Sequence, residues 1–228
     1  MKRYLGICSL LLLLLSCEHE QKQGVYNQGR IDYKITYLNA EKDHYDPALL
    51  PKKMTLAFNQ DYSINMINGF MGFFKLGNIT YFKNKKVKTH LKVLDKNYAF
   101  NGGKNEMMCC FDCMQHMKIR KDTNVRFIGG LKSRGLHISF DDNPDTFEVF
   151  YTDDINLSEP NATNPYHNID GVLTQFRLKM GPYLMLFTAT SFDSTAAPSG
   201  EMEIPDDAIE VNRAEMVAIL NRLMEQNN

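Results

Sequence analysis

The stretch MMCCFDCMQHM, Met107 to Met117, places three cysteines, four methionines and a histidine within eleven residues. Thiolates, thioethers and imidazoles are the ligands that Zn²⁺ and Cu(I) select. Cys109 or Cys110, with Cys113 and His116, gives a C-x₂₋₃-C-x₂-H spacing that could close one tetrahedral site. Structural zinc sites usually draw on two separated knuckles, and the chain has no second cysteine pair of that kind. His44, His90, His137 and His167 are scattered and read as strand or loop residues rather than distant ligands. A second chemistry is redox. An oxidising compartment would allow a disulfide from Cys109 or Cys110 to Cys113. Adjacent cysteines bond each other only with strain, and a thioredoxin-like C-x-x-C needs a βαβ setting that this chain lacks. The third chemistry is packing. Met and Cys are adaptable apolar fillers, so Met107, Met108, Met114 and Met117 would form a wall able to repack around an acyl chain. Packing is the leading expectation, with no cofactor; zinc or copper is the alternative.

Little else in the chain reads as chemistry. No G-x-S-x-G, H-E-x-x-H, Walker loop or dinucleotide fingerprint occurs, and no spacing selects a triad, so an enzyme is not expected. The pairs Asp141-Asp142, Asp153-Asp154 and Asp206-Asp207 fall in turns or before a helix, where solvated Asp is ordinary. DDINLSEPN lacks the spacing of a calcium loop. Tyr166, His167 and Asp170, in NPYHNIDG, would either line a cavity mouth or order a loop. The net charge is −1 and no basic stripe interleaved with aromatics appears, which argues against nucleic acid.

The elements that must position these residues are mostly strands. Hydrophobic residues make up 43% of the chain, enough for one real core. In GRIDYKITYL, Ile31, Tyr33, Ile35 and Tyr37 alternate with Asp32, Lys34 and Thr36, the pattern of a half-buried antiparallel strand. KKMTLAFN, DYSINMIN, ITYFK, KTHLKVL, YAF, NVRFI, GLHISF and TFEVFYT read as further strands, and GVLTQFRLKM with YLMLFTATSF as a long hairpin turning at Gly181-Pro182. Asp61, Gly69, Asn84, Gly102-Gly103, Gly129-Gly130 and Asp170-Gly171 punctuate them as turns. A helix closes the chain at about 212–226. Asn212 with Glu215 forms a capping box, and Met216, Ile219, Leu220, Leu223 and Met224 share one face. The fold expected is mainly β: a curved antiparallel sheet or incomplete barrel wrapping a C-terminal helix. Leu220 and the four methionines would then line an apolar cavity.

The start of the chain reads as an address. Lys2 and Arg3 precede an apolar run, Leu5 to Leu15, of signal-peptide length and too short to span a bilayer comfortably. Leu14-Leu15-Ser16-Cys17 matches the lipobox of bacterial lipoproteins. Residues 1–16 are therefore expected to be a lipoprotein signal peptide and Cys17 the lipid attachment site. Residues 17–28 would be a flexible tether, and 29–228 a single domain. Each buried acyl CH₂ contributes about 0.8 kcal/mol, so several chains hold such a protein on its membrane. Glu18 and Glu20 loosely fit the export signal of Bacteroidetes surface lipoproteins. An outer-membrane anchor facing the periplasm or the cell surface is the expected location, with any protein partner undefined.

Several runs, in this order, resemble a Bacteroidetes lipoprotein family of unknown function that is likened to the LolA/LolB lipoprotein carriers. They are GRIDYKITY, LLPKKMTLAF, LKVLDKNY, FIGGLK, YTDDINL, NPYHNIDGVLTQFRLKM and EIPDDAIEVNRAEM. The resemblance covers roughly residues 29 to 220 and rests on turn and core patterns rather than catalytic signatures. It implies an unclosed antiparallel barrel with helices at its mouth and non-enzymatic binding of an acyl chain or lipid moiety. Ser133 stands where the family pattern has a cysteine after the turn. The cysteines at 109 to 113 are not part of that pattern.

Overall fold

The computed structural model describes residues 25–39, 50–112, 114, 116–141, 145–198 and 202–225. The leader, Cys17, residues 17–24 of the tether, His44, Asp142 and Cys113 lie outside the described residues. Twelve strands form one sheet: β1 (Gly29–Tyr37), β2 (Lys53–Phe58), β3 (Tyr62–Asn68), β4 (Phe74–Tyr81), β5 (Lys86–Val93), β6 (Lys96–Asn101), β7 (Met117–Ile128), β8 (Leu131–Phe140), β9 (Phe147–Thr152), β10 (Val172–Met180), β11 (Tyr183–Asp193) and β12 (Ile209–Glu210). Their spatial order is β12-β6-β5-β4-β3-β2-β1-β11-β10-β9-β8-β7. Two meanders, β1–β6 and β7–β11, are thus joined where β1 pairs with β11. Every pairing is antiparallel except β12 with β6.

Alternation decides which face is buried. Tyr33, Met54, Ile67, Leu76 and Leu91 are directly opposite one another across five strands and are all buried. Across the β1–β11 junction Ile35 meets Phe187, whose ring stacks on Phe176 at 5.1 Å. This inner face is one continuous core. The Tyr33 hydroxyl, deep within it, donates to the Leu173 carbonyl at 2.7 Å, which satisfies its polar end.

The sheet is open, not closed into a barrel. Its β6 edge is covered by the end of the chain. Met202 and Ile204 cross the outer face and pack with Ile64 and Met66. The two-residue β12 then pairs with β6, and helix α1 (Arg213–Glu225) turns back so that Met216 and Leu220 enter the inner core. The capping box is formed as expected. Asn212 Oδ1 accepts from the Glu215 amide at 3.0 Å, and Glu215 Oε2 accepts from the Asn212 amide at 2.8 Å. The Met224 side chain lies outside what is described. A short helix with two fully buried side chains cannot fill the hollow of a twelve-stranded sheet. Two connections, through Met108–Phe111 and Ile155–Ile169, fill the rest. In this respect the architecture differs from a sheet wrapped around its helix alone.

The opposite edge, β7, carries a register shift between Lys121 and Val125 and a run of charged residues, both of which discourage edge-to-edge pairing. β7 ends in the Gly129-Gly130 turn, where both φ angles are positive. The curl of the sheet brings this turn against β11: a Cβ on Gly129 would sit 2.9 Å from the Ala189 Cβ, whereas one on Gly130 would meet nothing within 4 Å. Both Gly→Ala changes incur left-handed strain of about 1–2 kcal/mol. Gly129→Ala should lose measurably more stability than Gly130→Ala in urea unfolding, because it also forces the turn off β11. Equal losses would contradict the curl.

Candidate functional site

The connection from β6 to β7 lays Met107–Phe111 across the hollow. Main-chain bonds tie it to the second meander: the Met108 amide donates to the Thr163 carbonyl, in the link between β9 and β10, at 2.7 Å and the Asp112 amide to the Lys179 carbonyl of β10 at 2.9 Å. Arg213, the first helical residue of α1, donates through Nη1 to the Met107 carbonyl and through Nη2 to the Met108 carbonyl, the latter at 3.0 Å. One guanidinium thus links the helix to the segment that fills the sheet. Asn65 Nδ2 points at the Met108 sulfur at 3.7 Å.

Beneath this segment is a cavity of about 40 Å³, lined by Met108, Phe111, Asn65, Asn78, Tyr166 and Phe176 among others. Ligand pockets for drug-sized molecules are commonly about 300–1,000 Å³, so this void holds no acyl chain as it stands. Of the residues expected to line a ligand cavity, Met108 does so. Leu220 is buried in the surrounding core, and Met114 and Met117 are half-buried against it. Met107 is half-buried, with its carbonyl held by Arg213.

The thiols sit at the N-terminus of α1. Cys109 and Cys110 are buried, their sulfurs 3.1 Å apart, and the Cys109 sulfur lies 4.0 Å from the Arg213 carbonyl. Cys110 takes a left-handed φ of 76°, uncommon away from glycine. The bond from Cys110 pulls the Cys109 thiol below the usual thiol range, and the Arg213 charge adds to this against the effect of burial. The Cys110 thiol is pushed up, first by donating to Cys109 and then by burial. Cys109 is therefore the thiol of the pair that ionises first. His116 is exposed, and it does not join Cys109 and Cys110 in a set of ligand atoms within 4.8 Å of one another. Among the described residues the expected metal quartet is brought together only as this cysteine pair.

One constellation was not evident in the sequence. Asp122, His137 and Glu148 converge on the outer face of β7–β9, with His137 directly opposite Glu148 and its Nε2 3.2 Å from Asp122. Glu148 is also engaged by Arg126 at 3.3 Å, and Asn124 bonds both carboxylates. Only strand register reveals this grouping, and no spacing in the sequence encodes it. Tyr166, by contrast, is a structural residue of the core. Its hydroxyl donates to the Arg177 carbonyl at 2.6 Å.

The opposed shifts of the two thiols have a pH signature. Between the lowered Cys109 pKa and the ordinary thiol range the unfolded chain binds more protons than the folded one, so the pair's contribution to stability rises with pH. Above the ordinary range the folded chain keeps the Cys110 proton that the unfolded chain has lost, so the contribution falls. Stability measured against pH should therefore contain a maximum near pH 8.5, the ordinary thiol pKa, that disappears in Cys109→Ala/Cys110→Ala. An unchanged profile would contradict the opposed shifts.

No protein-family model matches this chain, and no curated protein matches it in sequence. Among solved structures it is similar to PNGF-II in two crystal forms. One likeness has a TM-score of 0.53 and the other 0.51, each at 13% sequence identity over 85% of this chain. The chain spans about a third of PNGF-II, 33% and 32% of the two chains. At that identity the likeness concerns the fold: an open, mainly antiparallel sheet, found there as part of a longer protein.

Proposed function

We propose that this chain is a lipid-anchored, non-enzymatic protein of the cell envelope. Its incomplete barrel, of the LolA/LolB kind, takes an apolar ligand by exchanging it for its own Met/Cys segment. The anchor is Cys17, and the location is the outer membrane. The observation that supports ligand exchange is how the hollow is filled. Strand side chains do not close it. A connection rich in methionine and cysteine does, tied by a few main-chain bonds and the Arg213 fork. Unbranched thioethers repack around chains of different shape at small cost. Removing Met107–Phe111 from the inner face would uncover a continuous apolar surface running from Leu76 to Phe176.

A second reading is favoured by one specific observation. The existing void is about 40 Å³, so in this conformation the domain is a filled, solid module. That suits binding another protein through a sheet face, with no ligand inside.

Native mass spectrometry of the protein purified from its own host under reducing conditions separates these readings. The exchange reading predicts co-purified lipid mass that is lost on delipidation and insensitive to chelator. A protein carrying only its covalently attached acyl chains, with no separable lipid, would support the filled module. Stoichiometric zinc or copper, lost in a Cys109→Ser/Cys110→Ser/Cys113→Ser variant, would instead make the thiols a soft-metal site. The anchor is tested separately: Cys17→Ser should abolish processing and membrane partition, and an unchanged distribution would refute lipidation.

A further inference from the structure

Of the exposed large hydrophobic residues, three stand together at one end of the sheet: Met71 at 75% exposure, Phe73 at 52% and Leu94 at 60%. They occupy the β3–β4 and β5–β6 turns, which are joined by the Leu94 amide donating to the Phe73 carbonyl at 2.7 Å. Met71 and Leu94 have φ of 49° and 56°. Exposed turn positions of this conformation normally take Gly, Asn or Asp. Here two bulky apolar side chains are held there in water, where they contribute nothing to the core. Leu38, at the end of β1, lies at the same end and is also exposed.

Lysines surround these tips. Lys75 stands directly opposite Lys92 across β4–β5, and Lys34 directly opposite Lys53 across β1–β2. Like charges in directly opposed positions destabilise a sheet. Among the described residues none of these four lysines has an ion-pair partner. An open groove of about 1070 Å³ on the outer face carries Lys34, Lys52 and Lys53 and runs to Gly69, where the first apolar turn begins. Apolar tips projecting beyond a cationic belt match one kind of surface, an anionic lipid interface. The tips enter the boundary of the acyl region, and the ammonium groups meet headgroup phosphates.

We propose that this rim docks the domain onto an anionic lipid surface through Met71, Phe73 and Leu94, with Lys34, Lys53, Lys75 and Lys92 contacting the headgroups. The docking is separate from the lipid anchor. β1 begins at the opposite end of the sheet, roughly 30 Å away at about 3.3 Å per residue, so the rim is remote from the point where the tether enters.

The chain contains no tryptophan, so a single introduced one is an unambiguous probe. Full-length Phe73→Trp protein is reconstituted into zwitterionic vesicles and mixed with phosphatidylglycerol vesicles carrying brominated acyl chains. Phe127→Trp, at the other end of the sheet and 78% exposed, is the control. The expected result is a blue shift and strong quenching of the tryptophan at 73, none at 127, and loss of the effect in Phe73→Trp/Lys75→Glu/Lys92→Glu. A tryptophan at 73 that stays solvent-exposed would overturn the proposal. So would equal quenching by zwitterionic brominated vesicles, or a concentration-dependent blue shift without added vesicles, which would make a second copy the occupant. Failure of the anchor would show differently, as protein released from its host vesicles.

Discussion

A sheet that curls must bury its concave face, and this requirement organises the molecule. The row from Tyr33 to Leu91 and the stacked Phe176–Phe187 pair present an apolar surface that, among the described residues, no second sheet covers. At roughly 25 cal/mol per Å² of apolar area, leaving such a face in water would cost more than a domain's usual net stability. The chain answers with connections rather than with a second layer. The segment Met108–Phe111, the long link between β9 and β10, and two residues of α1 meet over the hollow. Arg213 joins them: its guanidinium holds the carbonyls of Met107 and Met108 while its backbone begins the helix. Removing that fork would remove the two side-chain bonds that hold the segment to the helix.

The same arrangement accounts for the chemistry of the thiols. Cys109 and Cys110 lie beneath the first turn of α1 because Arg213 draws the segment there. Burial and a guanidinium then act on two adjacent sulfurs, one of which donates to its neighbour. This is an arrangement of packing and hydrogen bonding within the core. It also explains why a motif so dense in ligands places His116 outside it.

Much of the fold was legible because alternation and turn residues are local signals. GRIDYKITYL, KKMTLAFN and GVLTQFRLKM are strands where their patterns place them, and the Asn212–Glu215 capping box marks the helix start. What was not legible is non-local. The pairing of β1 with β11, which joins the two meanders, is written nowhere in either segment. The filling of the hollow by Met108–Phe111 depends on one arginine more than a hundred residues away. The Asp122–His137–Glu148 grouping depends on register and on the bulge in β7. The exposed turn residues Met71 and Leu94 run against turn chemistry, because they place apolar side chains where turns favour Gly or Asn.

If the Met/Cys segment is an exchangeable filling, it must open more easily than the sheet it covers. Amide hydrogen exchange reports this directly at two positions, Met108, bonded to Thr163, and Asp112, bonded to Lys179. The account predicts exchange at both through a local opening, far faster than at Phe187 or Leu178 in the central strands, and faster still in Arg213→Ala with those strands unchanged. Protection at Met108 and Asp112 equal to that of the central strands would contradict it. The segment would then be a permanent part of the core.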